Sequence, residues 1–239
     1  MSIHTEELVT GLTDTHLCTQ GQGESIGALV HRDVLQPLLK LREAAFMEGF
    51  DLRLASGFRS FDRQLSIWNR KVAGELPVLD AQAQPLDVAQ LAPRDLVFVI
   101  LRWSALPGAS RHHWGTDVDV FDAAATPSDY EIQLVPEEVE AGGMHAPMHE
   151  WLDERMAAGT AYGFYRPYDR DRGGVAPERW HLSHAPLAAQ LMTLLTVDVL
   201  RETVASADLA LKATVLEHLD EIYTRFVTNV SPPPGGPVA

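Results

Sequence analysis

Short strand-like segments and longer helical segments are mixed along this 239-residue chain, without the regular strand-helix-strand repeat of a doubly wound sheet. Alternating apolar residues predict strands within 51–60, 116–123, 130–135 and 178–184. Apolar residues at helical spacing predict helices within 31–50, 61–76, 95–108, 148–164, 186–200 and 207–227. This mixture favours an α+β fold, and we expect the active chemistry to lie on its small sheet.

The length of the chain and its 46% hydrophobic content suit one domain with a sizeable core, which we place at 1–230. Residues 74–94 carry three prolines and no sustained periodicity, which predicts an irregular excursion rather than a domain boundary. The C-terminal segment SPPPGGPVA, 231–239, is predicted to be a disordered tail by its composition.

The charge of the chain argues against several classes of partner. Its formal net charge of −14 repels nucleic acid and anionic lipid, so neither is an expected partner. The single cysteine, Cys18, forms no internal disulfide. The first residues contain no apolar run of the length that a signal peptide or membrane span needs, and this predicts a cytoplasmic protein if Met1 is the natural start.

The segment SRHHWGTDVD, 110–119, gathers two histidines and two aspartates around one glycine. Imidazole and carboxylate are the ligands that a catalytic zinc favours, with three supplied by the protein. Gly115 lets the chain turn back, so that His112 and Asp119 could converge on one ion. His113 and Asp117 remain alternatives, because this segment alone does not rank its four candidate ligands.

A second segment, GVAPERWHLSH, places Glu178 three residues before His181. A histidine ligand beside a carboxylate that accepts a proton from water is what metallopeptidase chemistry requires. A third segment, SGFRS, ends a predicted strand and exposes Arg59, whose guanidinium could bind a substrate carboxylate or stabilise an oxyanion. Together with His112 and Asp119, these residues predict a hydrolytic zinc site.

The segment MHAPMHEW offers a competing pair, His145 and His149, at the spacing of two ligands on one helical face. Pro147 lies between them and prefers the first turn of a helix, so His145 is expected to precede that helix. We interpret these two residues as capping or surface histidines.

The segments SGFRS, SRHHWGTDVD and ERWH resemble, in order and spacing, the zinc D-alanyl-D-alanine carboxypeptidase and dipeptidase family, the VanY and VanX group. The pattern of that family is S-x-H-x-x-G-x-A-x-D followed by E-x-W-H. The resemblance covers about residues 30–190, with further helices at 186–228. It implies the fold shared with the hedgehog signalling domain, in which a small antiparallel sheet carries the zinc site and helices surround it.

The resemblance also implies a role for each matching residue. His112, Asp119 and His181 correspond to the ligands of one Zn²⁺ per chain, and Glu178 to the general base. Arg59 corresponds to the arginine that stabilises the oxyanion. The positions implied to bind substrate are Ser110 and Gln64.

Two positions depart from the family pattern. Asp117 stands where the family has alanine, and period-two alternation places it on the same sheet face as Asp119. Asp117 could contact a zinc ligand, add a charge that faces the substrate, or be turned away by a bulge in the strand. We predict that Asp117 is not a zinc ligand. Arg179 stands where proline is common, which bears on substrate shape rather than on catalysis.

The function implied is hydrolysis of a C-terminal D-amino-acid bond, of the D-Ala-D-Ala type, in a peptidoglycan-derived peptide or a free dipeptide. The same motifs suit an L,D-carboxypeptidase or an endopeptidase on muropeptides. A hedgehog-like zinc-binding module without catalysis is the alternative from another class, and the presence of Glu178 and Arg59 argues against it.

Overall fold

The computed structural model describes residues 3–233 and contains one four-stranded sheet. Its strands are β1 (Leu52–Ser56), β2 (Asp117–Asp122), β3 (Phe164–Tyr165) and β4 (His181–His184). The strands lie in the order β1-β2-β4-β3, and each neighbouring pair is antiparallel. The expected α+β class with a small antiparallel sheet is therefore confirmed.

Helices surround this sheet. In chain order they are α1 (Ile3–Thr10), α2 (Gln20–Ile26), α3 (Leu35–Met47), α4 (Phe61–Val72), α5 (Pro93–Trp103), α6 (Pro136–Val139), α7 (Ala146–Ala157), α8 (Ala185–Leu194), α9 (Val197–Ser206), α10 (Lys212–Glu217) and α11 (Leu219–Ile222). A 3₁₀ turn at Arg111–Trp114 leads into β2, and a π-helical turn at Tyr223–Val227 follows α11. None of the helices within 3–233 is long and apolar enough to cross a membrane.

One face of the sheet packs on helices and the other carries the polar residues. Val118, Val120 and Leu182 are buried in a core with residues of α3 and α7, including Leu38 and Leu152. A second core joins α5 with α8–α11. Because successive side chains of a strand point to opposite faces, the apolar positions of β2 and β4 direct Asp117, Asp119 and His181 to the opposite face.

The pairing of β2 with β4 aligns two candidate ligands. Asp119 lies directly opposite His181 in the antiparallel register. Side chains at such opposed positions have Cβ atoms about 4.5–5.5 Å apart, so they meet without further adjustment. The register of β1 against β2 shifts between Leu54 and Ser56, where β1 ends and the chain turns towards Arg59.

Three expectations from the sequence are wrong. Residues 130–135 form a loop rather than a strand, because their backbone N–H groups donate to the Glu138 carboxylate instead of to a neighbouring strand. The predicted helix at 186–200 is two helices, since the Thr196 side chain accepts a hydrogen bond from the Val199 N–H and begins α9. Likewise, 207–227 is divided into α10, α11 and the π-helical turn.

The predicted C-terminal tail lies largely outside the described residues, which end at 233. Ser231, the first residue of that segment, is buried, and its N–H donates to the Pro167 carbonyl over 2.8 Å.

Candidate metal centre and substrate cleft

Three side chains that are distant in sequence bring one ligand atom each to a common position. His112 comes from the 3₁₀ turn, Asp119 from β2 and His181 from β4, and their ligand atoms all lie within 4.8 Å of one another. His112 Nε2 is 3.3 Å from Asp119 Oδ2, and His181 Nδ1 is 3.1 Å from Asp119 Oδ1. Tetrahedral zinc with bonds of about 2.0–2.1 Å places its ligand atoms at similar separations, about 3.3 Å.

A backbone carbonyl orients His112. Its Nδ1–H donates to the Gly57 carbonyl over 2.8 Å, which leaves the Nε2 lone pair facing Asp119. Gly57 is required there, because a Cβ at that position would lie 2.5 Å from the Leu29 carbonyl oxygen. Gly115, which ends the turn carrying His112, has a φ of +66° and a similarly close neighbour in the His31 N–H.

A carboxylate orients His181. Its Nε2–H donates to Asp117 Oδ1 over 3.0 Å, so that Nδ1 faces Asp119. Burial alone lowers the pKa of His181, but its contacts with the Asp117 and Asp119 carboxylates raise that pKa to about 10. The two carboxylates therefore favour positive charge at this point of the cleft.

A second observation supports a divalent cation at the three candidate ligands. Asp119 Oδ1 is buried, and within residues 3–233 its 3.1 Å contact with His181 Nδ1 lacks the geometry of a hydrogen bond. Burial alone raises the pKa of Asp119, yet His112 and His181 hold it well below its usual range. A buried carboxylate oxygen of this kind is costly to leave unpaired, and a metal ion would satisfy it.

Glu178 lies beside the three ligand atoms. Its Oε2 is 3.5 Å from His181 Nδ1, and its backbone N–H donates to the Tyr168 carbonyl over 3.1 Å. Burial raises the pKa of Glu178 to about 7. A carboxylate with a pKa near neutrality both accepts and returns a proton readily, which is the property of a general base.

Arg59 follows the last residue of β1 by three positions, and its guanidinium is held from both sides. Its Nη1 donates to Gln64 Oε1 over 3.0 Å and its Nη2 to Ser56 Oγ over 3.2 Å. Gln64 is fully buried, and its amide also donates to the Ala105 carbonyl over 2.7 Å. Gln64 therefore contacts Arg59 directly, and its predicted contact with substrate stays a prediction.

A cleft of about 240 Å³ opens over these residues. It is lined by Arg59, Ser110, His112, Asp119, Glu178 and His181. Among the further lining residues that sequence reasoning did not predict, Lys71 and Tyr168 carry titratable side chains. The Tyr168 ring packs edge-on against the His181 ring at 5.0 Å. Lys71 follows Gln64 by seven residues, so both lie on the same face of α4. This spacing is the only local signal in the sequence that could have placed Lys71 near the site.

The loop at 133–135 forms another wall of this cleft. The buried Glu138 carboxylate accepts hydrogen bonds of 2.8 Å from the Gln133 N–H, the Leu134 N–H and the Tyr130 hydroxyl. Leu134 has a positive φ of 57°, a conformation that costs energy for a non-glycine residue. Glu138 thus holds a strained loop against the cleft.

The other histidines whose side chains the structure describes take no part in the cluster. His113 is buried with Nδ1–H donating to the Arg59 carbonyl over 2.6 Å and Nε2 accepting from the Gly108 N–H over 3.1 Å. His145 is the N-cap residue of α7, which agrees with its interpretation as a capping residue. His145 and His149 are both buried, so neither is a surface histidine. The His149 Nδ1 accepts a bond from Arg166 over 3.1 Å.

Arg179 points away from the cleft. Its guanidinium donates to Asp153 and to the Val139 carbonyl, each over 2.6 Å. It lines a larger cavity of about 610 Å³ that shares Tyr168 with the cleft but contains none of the predicted ligands. Size therefore does not identify the site here, because the titratable groups converge in the smaller cavity.

Comparison with known proteins shows the family of this chain. The family model described as VanY, D-alanyl-D-alanine carboxypeptidase, matches residues 27–187, which is well over half of the chain. The chain belongs to this family. As a VanY-family member it is also similar to a protein of Haemophilus influenzae without an assigned function, at 30% identity over 124 residues, covering 51% of this chain and 92% of that protein. It is 28% identical over 162 residues to a D-alanyl-D-alanine carboxypeptidase of Enterococcus faecalis, covering 65% of this chain and 48% of the relative.

Two solved structures resemble this VanY-family chain at low identity. One is a variant of the vancomycin resistance D,D-pentapeptidase VanY in complex with Zn(II), 22% identical with a TM-score of 0.49, covering 84% of this chain and 90% of the other. The second is VanYB in complex with D-alanine-D-alanine, 23% identical with a TM-score of 0.49, covering 87% and 90%.

Proposed function

We propose that this VanY-family protein is a zinc-dependent carboxypeptidase that removes a C-terminal D-amino acid from a peptidoglycan-derived peptide or a free D-alanyl-D-alanine dipeptide. The observation that carries the proposal is the convergence of His112, Asp119 and His181 within 4.8 Å, with the Glu178 carboxylate 3.5 Å from His181 Nδ1. Two imidazoles and one carboxylate form a ligand set of catalytic zinc sites, which leave a fourth position open.

Zn²⁺ bound by these three residues would supply a Lewis acid and lower the pKa of a coordinated water. Both histidines present a lone pair to that position because each donates its other ring N–H to an oxygen, Gly57 O for His112 and Asp117 Oδ1 for His181. The ligand geometry is therefore set by the protein before an ion arrives.

Glu178 moves the proton. Its carboxylate accepts a proton from the attacking water and then donates it to the amine nitrogen of the leaving amino acid, so the base is regenerated in each cycle. Burial raises its pKa, so this carboxylate is a stronger base than an ordinary glutamate and takes up the proton more readily.

Arg59 and Ser110 serve the substrate. The Arg59 guanidinium lines the cleft with the candidate ligands and carries the positive charge that the oxyanion of a tetrahedral intermediate requires. Gln64 and Ser56 hold that guanidinium in place. Ser110 lines the same cleft, and its hydroxyl is suited to hold the terminal carboxylate of the substrate.

The experiment is a substrate panel with the zinc-loaded protein and mass spectrometry of the products. The panel contains D-Ala-D-Ala, a cell-wall pentapeptide ending in D-Ala-D-Ala, a tetrapeptide ending in an L,D bond, and an L-Ala-L-Ala control. We expect release of D-alanine from the D,D substrates, abolished by a chelator and restored by Zn²⁺.

Other outcomes would redirect the proposal. Release of D-alanine from the tetrapeptide alone would indicate an L,D-carboxypeptidase. Cleavage at an internal bond of either cell-wall peptide would indicate an endopeptidase. A protein that binds Zn²⁺ yet gives no chelator-sensitive product from any substrate would support a binding module and contradict the proposed activity.

A further inference from the structure

Asp117 is surrounded by hydrogen-bond donors and has no exposed surface. Its Oδ1 accepts from Arg111 Nε over 2.7 Å and from His181 Nε2 over 3.0 Å. Its Oδ2 accepts from the Thr116 hydroxyl over 2.6 Å and from the Ser183 hydroxyl over 3.1 Å. Each carboxylate oxygen therefore has two donors, which leaves little room for a metal bond.

We propose that Asp117 is a positioning residue that fixes the ring of His181 for metal binding. By accepting the Nε2–H, Asp117 leaves the Nδ1 atom of His181 as the ligand atom and sets the plane of the ring. The proposal rests on the proposed zinc site and deepens it, because it assigns a role to the one carboxylate that departs from the family pattern.

The position of Arg111 explains why Asp117 supports the site without binding the ion. A cation bonded to Asp117 Oδ1 would approach the Arg111 guanidinium, 2.7 Å from that oxygen, and the two charges would repel. The guanidinium is itself held by the Ser183 hydroxyl at 2.7 Å and lies over the Trp114 ring at 4.8 Å. Arg111 is thus a fixed counter-charge.

The same ion pair joins the two elements that carry the other ligands. Arg111 precedes His112 in the 3₁₀ turn, and Asp117 lies two residues before Asp119 on β2. A buried Arg–carboxylate bond has a narrow range of geometries, so it fixes the turn relative to the strand. Asp117 therefore acts on His181 directly and on the His112–Asp119 spacing through Arg111.

The charges balance around Asp117. Arg111 neutralises its carboxylate, so His181 gains a charged hydrogen-bond acceptor without adding a net negative charge to the site. Acceptors of this kind raise the basicity of a histidine ligand and typically account for about 10- to 100-fold in metal affinity or activity. Neutral alanine at this position, as in the family pattern, has no acceptor to offer His181.

The test is the Zn²⁺ affinity of Asp117→Asn, measured by competition with a chromophoric chelator on the full chain, together with the visible spectrum of the Co²⁺-loaded protein. Asparagine keeps the shape of the side chain and loses its charge. We expect Zn²⁺ binding to weaken by about 10- to 100-fold and the Co²⁺ bands to shift. Asp122→Asn is the matched control, since Asp122 is a buried aspartate on the same strand that accepts from the Asp51 and Ala124 N–H groups.

Asparagine keeps one oxygen that can accept from His181 Nε2–H, so Asp117→Ala, which has no acceptor, is measured as well. Equal Zn²⁺ affinity in wild type and both variants would overturn the inference while leaving the zinc site standing. An equal loss in the Asp117 and Asp122 variants would overturn it too, because the effect would then be general. A wild-type chain that binds no Zn²⁺ would instead refute the proposed function.

If Asp117→Asn does not fold, the double variant Arg111→Met/Asp117→Ala removes both members of the buried ion pair, a change that proteins often tolerate. Unchanged Zn²⁺ affinity in the double variant would again overturn the inference.

Discussion

Gln64 Oε1 accepts a hydrogen bond of 3.0 Å from Arg59 Nη1, and Gln64 has no exposed surface. We expect Gln64→Met to lower kcat by about 10- to 100-fold, because a loosened guanidinium no longer meets the developing oxyanion at the right place. Zn²⁺ affinity should not change. Steady-state kinetics with a metal-binding assay checks this, and a rise in KM alone would show instead that Gln64 contacts the substrate.

Glu178→Gln is expected to leave Zn²⁺ bound at one ion per chain and to reduce kcat by about 10²- to 10⁴-fold, because an amide accepts no proton from water. The variant keeps the size of the side chain, so the cleft should stay intact. Metal analysis and turnover of the best substrate from the panel check this prediction. Retained activity would remove Glu178 from the role of general base.

The pH dependence follows from the same carboxyl group. Burial raises the pKa of Glu178 to about 7, so the group holds a proton below that pH and cannot act as a base. We expect kcat/KM to fall by about tenfold per pH unit on the acid side. A bound divalent cation favours the ionised form and moves the inflection to lower pH. A profile that rises as the pH falls would contradict this assignment.

Lys71 lines the cleft together with Arg59 and Arg111, and among residues 3–233 no carboxylate forms an ion pair with it. Its ammonium donates to the Pro77 carbonyl over 3.1 Å, and burial lowers its pKa. We expect Lys71→Met to raise KM by about tenfold or more for a substrate with a free carboxylate, since a hydrogen bond to a charged group contributes about 1.5–3 kcal/mol. The exposed Lys40→Met is the control, and equal KM values in the two variants would contradict a substrate contact.

Glu138→Gln should loosen the loop at 133–135. An amide nitrogen cannot accept from the backbone N–H groups of that loop, and a buried unsatisfied donor costs about 1–3 kcal/mol. We expect a lower midpoint of urea unfolding and a higher KM, with Zn²⁺ affinity unchanged. The neighbouring exposed Glu137→Gln is the matched control. A KM that does not change would show that the loop does not contact the substrate.

The sequence indicated those parts of the fold and site that depend on local pattern. Helical spacing indicated α3, α4, α5 and α7, and alternation indicated β2 and β4. The loop at 130–135 was predicted as a strand because its alternation is genuine, but a buried carboxylate several residues later captured its N–H groups. Such capture depends on the tertiary position of one side chain, which no local pattern records.

The candidate site also combines features that the local sequence predicts with features that depend on tertiary contacts. The spacing within 110–119 offered four possible ligands, and the resemblance to the family selected His112 and Asp119. The pairing of Asp119 with His181 across β2 and β4 agrees with that choice. Alternation placed Asp117 on the correct face, but the contact that explains it involves Arg111 and Ser183, from a turn and from a distant strand. Lys71 carries no motif at all.

The two candidate histidine ligands are held by different kinds of hydrogen-bond acceptor. The acceptor for His112 is the main-chain carbonyl of Gly57, which no side-chain substitution deletes. The acceptor for His181 is the side chain of Asp117, which one codon change removes. At the proposed metal site, substitution of residue 117 would therefore change how firmly an ion is held while His112, Asp119 and His181 stay the same.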